Sequence, residues 1–365
     1  MNIHAKITGI EYKPKLVSDL KIYELKDIKD IDINLLPANC IINYKGFVFG
    51  LSKWVSPKRT RSYPYERVYN TLGTSKRITI IPIIKDEGQD GDRDFIQWDT
   101  ISLMSLLDVF VIPAYYNAAE KSKKSKNKIT NQKYDNDWIK QKIVEISNYH
   151  SSALHWNLKE IENSLPILIE KAKQTYRHLN KELGIKFHGE EGIVRFEQQF
   201  KAGVIEFKNT SRSKAQEAQE RETKTIQPKE ILSDNTTKSS ITIENYLGGK
   251  YYFTCDEIKI EQNYLYLIES KHSKTTFLPS IGDIKDGLLK MILYCNLKEV
   301  KIENKYYQPI PVLQLTSPYL ENNLKLETIN DTTYITKKYK SIITKLFEEA
   351  SENKFKVITK KLSND

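Results

Sequence analysis

Two short apolar runs, CDEIKI from Cys255 and YLYLIESKH from Tyr264, meet across Gln262-Asn263, and this pattern restricts the fold more closely than any other stretch of the chain. Alternate side chains of a strand share a face, so a hairpin here has one apolar and one mixed side. A two-residue turn, with Asn263 at a position where the backbone turns left-handed, sets Ile260 opposite Leu265 and Ile258 opposite Leu267. That register continues to Asp256 opposite Glu269, with Lys271 two residues further along the same side. A three-residue turn shifts the pairing by one, sets Asp256 against Ile268 and sends the two acids to different faces. Both registers pair apolar residues, so hydrophobicity does not choose between them.

Chemistry favours the first. Two carboxylates directly across a strand pair repel unless a cation lies between them, and a hard divalent ion held by oxygen donors meets that need. An ammonium beside such an ion is placed to hold an attacking water or to offset charge on a phosphate. After the hairpin, PSIGDIKDGLLKMILYCNL (279–297) offers Ser280 as a helix cap with Asp283 three residues on. Within it Ile284, Leu288, Met291, Ile292 and Cys295 recur at helical spacing. PIPVLQLTS (309–317) then reads as a strand, and a strand reached through a helix is expected to run parallel to its partner.

An acid at the start of one strand, with an acid, any residue and a lysine on the next, resembles the PD-(D/E)xK nuclease superfamily. The matching residues are Asp256 and Glu269-Ser270-Lys271, while Cys255 stands where that family carries a proline. The resemblance covers about residues 240–317. It implies an α/β (α+β) fold with a restriction-endonuclease-like core, a mixed sheet flanked by helices. It also implies that Asp256 and Glu269 bind Mg2+ and that Lys271 assists hydrolysis of a phosphodiester. Some members add an upstream acid from a helix, for which Glu244 is the nearest candidate, weighed against an ordinary surface glutamate.

Around this core the pattern divides into three regions. Residues 1–118 read as an N-terminal α/β domain, with strands near Cys40–Leu51 and Arg77–Ile84, while Ser102–Val111 reads equally as helix or buried strand. Residues 134–209 read as a helical region in which Pro166 falls at a boundary or kink. Residues 240–365 hold the nuclease-like core and a closing helix or helix pair from Tyr334, with Ile335, Ile342, Ile343, Leu346 and Phe347 as its buried stripe. Glu120–Lys133, with six lysines against one glutamate, reads as a loop or linker, and Thr210–Ser240 as a solvated helix followed by a connection.

Lysine and arginine exceed aspartate and glutamate by 57 to 47, a net charge of +10 that suits a partner with a phosphate backbone. In Ser52–Gly73, Lys53, Lys58, Arg59, Arg61 and Arg67 alternate with Trp54, Tyr63, Tyr65 and Tyr69. This is the candidate DNA contact outside the core, and it reads equally as a basic loop whose aromatics fill a local core. The acidic stretch Lys85–Asp99 lacks the regular spacing of a calcium loop and reads as a solvated loop; Asp94 and Asp99 have no lysine-bearing strand partner for a second metal site. The six histidines show no metal-binding spacing, and no phosphate-binding glycine loop, dinucleotide fingerprint or nucleophile elbow is present. Three scattered cysteines point to a reducing, cytoplasmic setting, and the most apolar run, from Ile101, is broken by Asp108 and Pro113, so no membrane span is expected.

The function expected is that of a Mg2+-dependent DNA endonuclease, most like a type II site-specific restriction enzyme. Such an enzyme implies double-stranded DNA as substrate, a homodimer that cuts both strands, and a cognate DNA methyltransferase that protects the host. Two alternatives stand beside it: a non-specific defence or repair nuclease of the same superfamily, and a DNA-binding protein without catalysis.

Overall fold

The sequence NIHAKI alternates apolar and polar residues, and it forms the first strand, β1 (Asn2–Ile7), with Ile3, Ala5 and Ile7 buried. The computed structural model describes residues 2–58, 64–201, 237–245, 250–329 and 335–362. The chain divides into two compact units, Asp19–Ser213 and a second made of Met1–Ser18 with Lys214–Asp365.

In the unit Asp19–Ser213 the strands β2 (Ile22–Leu25), β3 (Asn39–Tyr44), β4 (Phe47–Lys53), β5 (Arg77–Pro82) and β8 (Phe110–Ala114) form a sheet in the order β2-β3-β4-β5-β8. Only β3 and β4 are antiparallel neighbours there, joined by the tight turn Lys45-Gly46, both at positive φ (51° and 85°). β5 and β8 are buried almost throughout, as expected of parallel strands covered on both faces. Helix α1 (Pro64–Thr71) connects β4 to β5, and a small ribbon of β6 (Ile84–Asp86) and β7 (Arg93–Phe95) precedes α2 (Trp98–Leu106). Ser102–Val111 is therefore both things the pattern allowed, the end of a helix and the start of a buried strand.

Lysine-rich Glu120–Lys133 is not a linker. It forms most of a ribbon, β9 (Tyr116–Lys121) with β10 (Ile129–Tyr134), anchored by buried Ile129 and by stacked Tyr116 and Tyr134 rings 4.5 Å apart. The lysines occupy its exposed side and turn, where charge costs nothing. Four helices follow: α3 (Asn136–Ser147), α4 (Ala153–Asn163), α5 (Leu165–Leu183) and α6 (Glu191–Lys201). Asp135 and Ser152 cap the first two, and Pro166 stands in the first turn of α5, the boundary position where its missing N–H is harmless. Ile139, Ile143, Ile146 and Trp156 from α3 and α4 share one core with Ile42, Phe49, Ile80 and Ile112 of the sheet. The helical region is thus a layer on the same unit as residues 19–118, because its apolar stripes need that sheet to bury against.

In the other unit β11 (Thr237–Asn245), β12 (Lys250–Glu261), β13 (Tyr264–His272), β14 (Lys298–Ile302), β15 (Lys305–Tyr306), β16 (Gln308–Ser317) and β17 (Lys356–Lys361) join β1 in a mixed eight-stranded sheet, ordered β15-β14-β1-β11-β12-β13-β16-β17. α7 (Ile281–Cys295) follows β13 and packs on β13 and β16; a short α8 (Leu326–Ile329) and α9 (Lys337–Asn353) lead from β16 to β17. β13, β16 and β17 run parallel, as strands separated by helices should. Ser280 caps α7 and accepts from the Asp283 N–H, as its spacing predicts. The chain does not close on helices alone: after α9, residues 356–361 form the edge strand β17. Val357, Ile358 and Thr359 are β-formers in a row, and they become a strand by pairing with β16. The helix–connection reading of Thr210–Ser240 falls almost wholly outside the described residues. Among the described residues no helix is long and apolar enough to cross a membrane.

Residues 1–18 belong to this unit, not to an N-terminal domain. β1 lies between β11 and β14, and the segment after it is tied to α9 by the exchange of bonds between Lys13 and Asn353, by Lys13 with Glu352, and by one buried carboxylate. Glu349 accepts from the Lys15 and Leu16 N–H groups at 2.8 and 2.9 Å and from the Tyr12 hydroxyl at 2.7 Å. Glu349→Ala leaves those donors without this acceptor and is expected to cost on the order of 3 kcal/mol, read as a lowered urea midpoint. A loss below about 0.5 kcal/mol would remove this carboxylate as the tie that holds the N-terminal segment.

Candidate functional site

The hairpin adopts the first of the two registers. Glu261 pairs with Tyr264, Ile260 with Leu265, Ile258 with Leu267 and Glu257 with Ile268 across β12 and β13. The left-handed residue of its turn is Gln262 (φ 55°), not Asn263. Ile258, Leu265 and Leu267 are buried under this register, whereas Ile260, nearest the turn, is exposed.

Beyond Glu257 the ladder changes. Between Thr237 and Ser239 of β11 the partner strand β12 advances from Ile258 to Cys255, three residues against two, which is a bulge at Asp256-Glu257. Asp256 is consequently not a regular ladder partner of Glu269. Its Oδ2 instead accepts from the Ser270 backbone N–H at 2.9 Å, which holds the carboxyl against the start of the Glu-Ser-Lys sequence. Cys255, at the family's proline position, is buried, and its Sγ approaches the carbonyls of Glu257 and Ile268 at 3.2 and 3.4 Å.

Glu269 is 2% exposed and each of its oxygens meets an ammonium. Lys271 Nζ lies 2.9 Å from Oε1, and Lys290 Nζ lies 2.7 Å from Oε2. Lys271 also reaches Asp286 at 3.5 Å, and Lys290 donates to the Thr254 carbonyl at 3.1 Å. Asp286 and Lys290 stand four apart on α7, on the face that covers the hairpin. Gly287, between them, lets the helix approach: a Cβ there would lie 2.8 Å from Leu313 Cδ1 and 3.0 Å from Lys271 Cε.

The two acids feel opposite environments. Burial pushes both up, but around Glu269 the charges of Lys290 and then Lys271 outweigh it and hold the carboxyl below its usual range. Asp256 is raised to about 6, first by burial and then by the negative charge of Glu269, with Lys290 only partly offsetting them. Asp286 is also raised, by burial first. Lys271 stays protonated: burial lowers it, and Glu269 more than restores it. Asp256 is thus the acid in this cluster with no ammonium within ion-pair distance among the described residues.

Among the described residues no three His, Cys, Asp or Glu side chains are arranged to hold a metal ion. Asp256 and Glu269 carry hard oxygens of the kind taken by Mg2+, which binds through one or two carboxylates and keeps waters or phosphate oxygens elsewhere, and both Glu269 oxygens are engaged by ammonium groups.

Other candidates fall apart from this cluster. Glu244 pairs with Lys250 of β12, six residues along the strand from Asp256, about 20 Å at strand rise. It is exposed and takes no part in the site. In the basic aromatic stretch, Trp54, Tyr65 and Tyr69 are buried, which decides for the local core. Lys53 Nζ donates to the Ile33 and Leu36 carbonyls and is lowered to about 8 by burial; Arg67 Nη1 donates to the Lys53 carbonyl. Both serve the fold of their unit and are withdrawn as DNA contacts. Lys58 is exposed, while Arg59 and Arg61 lie outside the described residues. The acidic stretch is no solvated loop either: Asp86 is buried against His188 Nδ1 at 2.8 Å, and Asp94 accepts from the Ser56 hydroxyl at 2.8 Å. Lys290 and Asp286 are the site residues that the motif does not contain. Their signal was present as opposite charges four apart on a helix, beside Asp283 and Lys285 on the same helix, and nothing in the sequence marked which of these charges meet the hairpin.

No known protein family, curated protein or solved structure matches the chain.

The asymmetry between the acids predicts opposite effects of neutralising them in metal-free protein. Because the folded pKa of Asp256 is raised, its contribution to stability is complete below its ordinary value and is lost as pH rises through about 6. Asp256→Asn removes that loss and is expected to gain roughly 1–3 kcal/mol at pH 7 with little change at pH 4, measured by urea unfolding. Glu269→Gln removes the buried carboxylate that both Lys271 and Lys290 contact and is expected to cost about 3–5 kcal/mol at pH 7. Equal destabilisation by both substitutions would contradict the charge arrangement described.

Proposed function

We propose that the chain is a metal-dependent DNA endonuclease, and more narrowly a type II site-specific restriction enzyme. The observation that carries the reading is the nearness of Asp256 to the Glu269-Ser270-Lys271 stretch, its Oδ2 accepting from the Ser270 N–H while Lys271 pairs with Glu269, at the far end of a hairpin whose register near the turn is the one expected. The hairpin, covering helix and parallel strand around them support a restriction-endonuclease-like core.

In this reading Asp256 and Glu269 hold Mg2+. An ion held there would supply Lewis acidity toward the scissile phosphate and a water. The chain's own part is to place charge. Asp256 is held by the Ser270 N–H, so its second oxygen is oriented without reorganisation when substrate arrives. Lys271, kept protonated between Glu269 and Asp286, orients the attacking water and offsets negative charge as the new P–O bond forms and the bond to O3′ breaks, leaving a 5′-phosphate. The reading carries double-stranded DNA as substrate, a homodimer to cut both strands, and a cognate methyltransferase. The net charge of +10 agrees with a polyanionic substrate.

Purified protein incubated with phage DNA and Mg2+ is expected to give discrete fragments that disappear with EDTA. Asp256→Ala and Lys271→Ala are expected to lower the cleavage rate by at least about a hundredfold while still binding DNA. A smear in place of bands would make it a nuclease without sequence specificity. DNA left intact with every divalent ion, yet retarded in a gel independently of metal, would overturn the nuclease reading in favour of a non-catalytic DNA-binding protein.

A further inference from the structure

Asp86, at the end of β6, is 1% exposed, and its partners fix a histidine beside a cavity of the unit Asp19–Ser213. Its Oδ1 accepts from the Gly88 N–H at 2.8 Å and lies 2.8 Å from His188 Nδ1, while Arg93 Nη1 stands 3.9 Å from Oδ2. A carboxylate accepts and does not donate, so the imidazole carries a hydrogen on Nδ1 and its orientation is set. Nε2 has no partner among the described residues, and the side chain is 29% exposed.

The chain reaches this place by a tight reversal. Gly184, at φ 60°, ends α5 in the left-handed conformation, and Asn180 Nδ2 donates to the Ile185 carbonyl at 2.8 Å. The residues that follow return along the helix they have just left, Phe187 packing on Tyr176 with ring centroids 5.2 Å apart. Arg177 then grips both oxygens of Glu190 at 2.6 and 2.5 Å, and Arg93 Nη1 donates to the Gly189 carbonyl at 2.7 Å. Between α5, this segment and the start of α6 a cavity of about 330 Å³ remains, within the size range of small-molecule sites.

Its walls are of two kinds. Phe187 and Ile193 are apolar, whereas His188 and Lys181 bring polar groups that the protein leaves unsatisfied. The Lys181 ammonium has no ion pair or hydrogen bond among the described residues, while Lys173 is held by Glu170 and Glu197 at 3.1 and 3.0 Å. Lys173, Arg177 and Lys181 outnumber Asp86 and Glu190 around the cavity, and each of these two carboxylates already has a partner within the protein. Protonated His188 donates from Nε2 as well. What the cavity holds open is therefore positive charge and donors, which an oxyanion satisfies.

We propose that this cavity binds a small organic oxyanion, its anionic group taken by His188 Nε2 and the Lys181 ammonium and its apolar body laid against Phe187 and Ile193. Phosphate monoesters and carboxylates share that chemistry. Asp86 is a positioning residue here, acting through the imidazole it orients. The site goes beyond the endonuclease reading, none of whose residues line the cavity.

Phenyl phosphate and phenylacetate, titrated into the full chain by calorimetry and followed in 1H–13C spectra of the isoleucine methyls and histidine rings, test the site and separate the two oxyanions. At least one is expected to bind saturably and to shift the Ile193 methyl and His188 ring resonances. Benzyl alcohol, which keeps the body without the charge, and inorganic phosphate, the charge without the body, are each expected to bind at least about tenfold more weakly. Lys181→Gln, at an exposed position with no contact to lose, and His188→Gln are each expected to weaken binding about tenfold. Saturable binding that leaves Ile193 and His188 unmoved, or an equal affinity in folded Lys181→Gln, overturns the site. So does the absence of saturable binding by both oxyanions, which reduces His188 to a tie between Asp86 and the chain after α5.

Discussion

The carboxylate of Glu269, gripped on each oxygen by a lysine from a different element, is the interaction around which the C-terminal unit is arranged. An unpaired charge so buried would be severely penalised, so the fold must deliver two ammonium groups to it. One arrives by strand alternation, because Lys271 is two residues along the same face. The other arrives only if α7 crosses the hairpin at one rotation and height, with Lys290 above the carboxylate and Asp286 one turn back beside Lys271. Gly287 removes the side chain that would hold the helix off. The hydrophobic stripe of α7 would tolerate small slips along the sheet; this charge cluster tolerates none without losing a partner.

The same cluster separates two chemically similar acids. Glu269 is over-provided with positive charge and ionises readily, whereas Asp256 inherits the repulsion and is left with one backbone N–H as its direct polar partner. That division follows from where the ammonium groups lie, both of them in contact with Glu269, and it is accompanied by a bulge in β12. A regular ladder would have set the acids squarely opposite one another; the extra residue turns Asp256 toward the backbone of β13 instead. The raised pKa of Asp256 means that its ionisation at neutral pH costs the folded state stability.

The unit Asp19–Ser213 illustrates how composition misleads. Its basic, aromatic stretch has the residue types of a nucleic-acid contact, yet Trp54, Tyr65 and Tyr69 are buried, and Lys53 and Arg67 spend their donors on backbone carbonyls. Long cationic side chains satisfy the carbonyls of an irregular segment as well as they satisfy a phosphate, and residue type alone does not distinguish the two uses.

The hairpin, its apolar face, the capped helix after it and the parallel strand beyond were legible because each depends on neighbours in sequence: a turn, a period of two, a period of 3.6, a cap. Asp256, Glu269 and Lys271 were legible for the same reason, since strand alternation carries them to one end. Tertiary structure alone decided the rest. Whether Glu120–Lys133 pairs with itself, whether residues 356–361 find a sheet edge, and where residues 1–18 belong depend on partners far along the chain, above all Glu349 more than 330 residues from Lys15 and Leu16. So does the placing of Lys290 on Glu269, because a charge on a helix shows its period but not what lies beneath it.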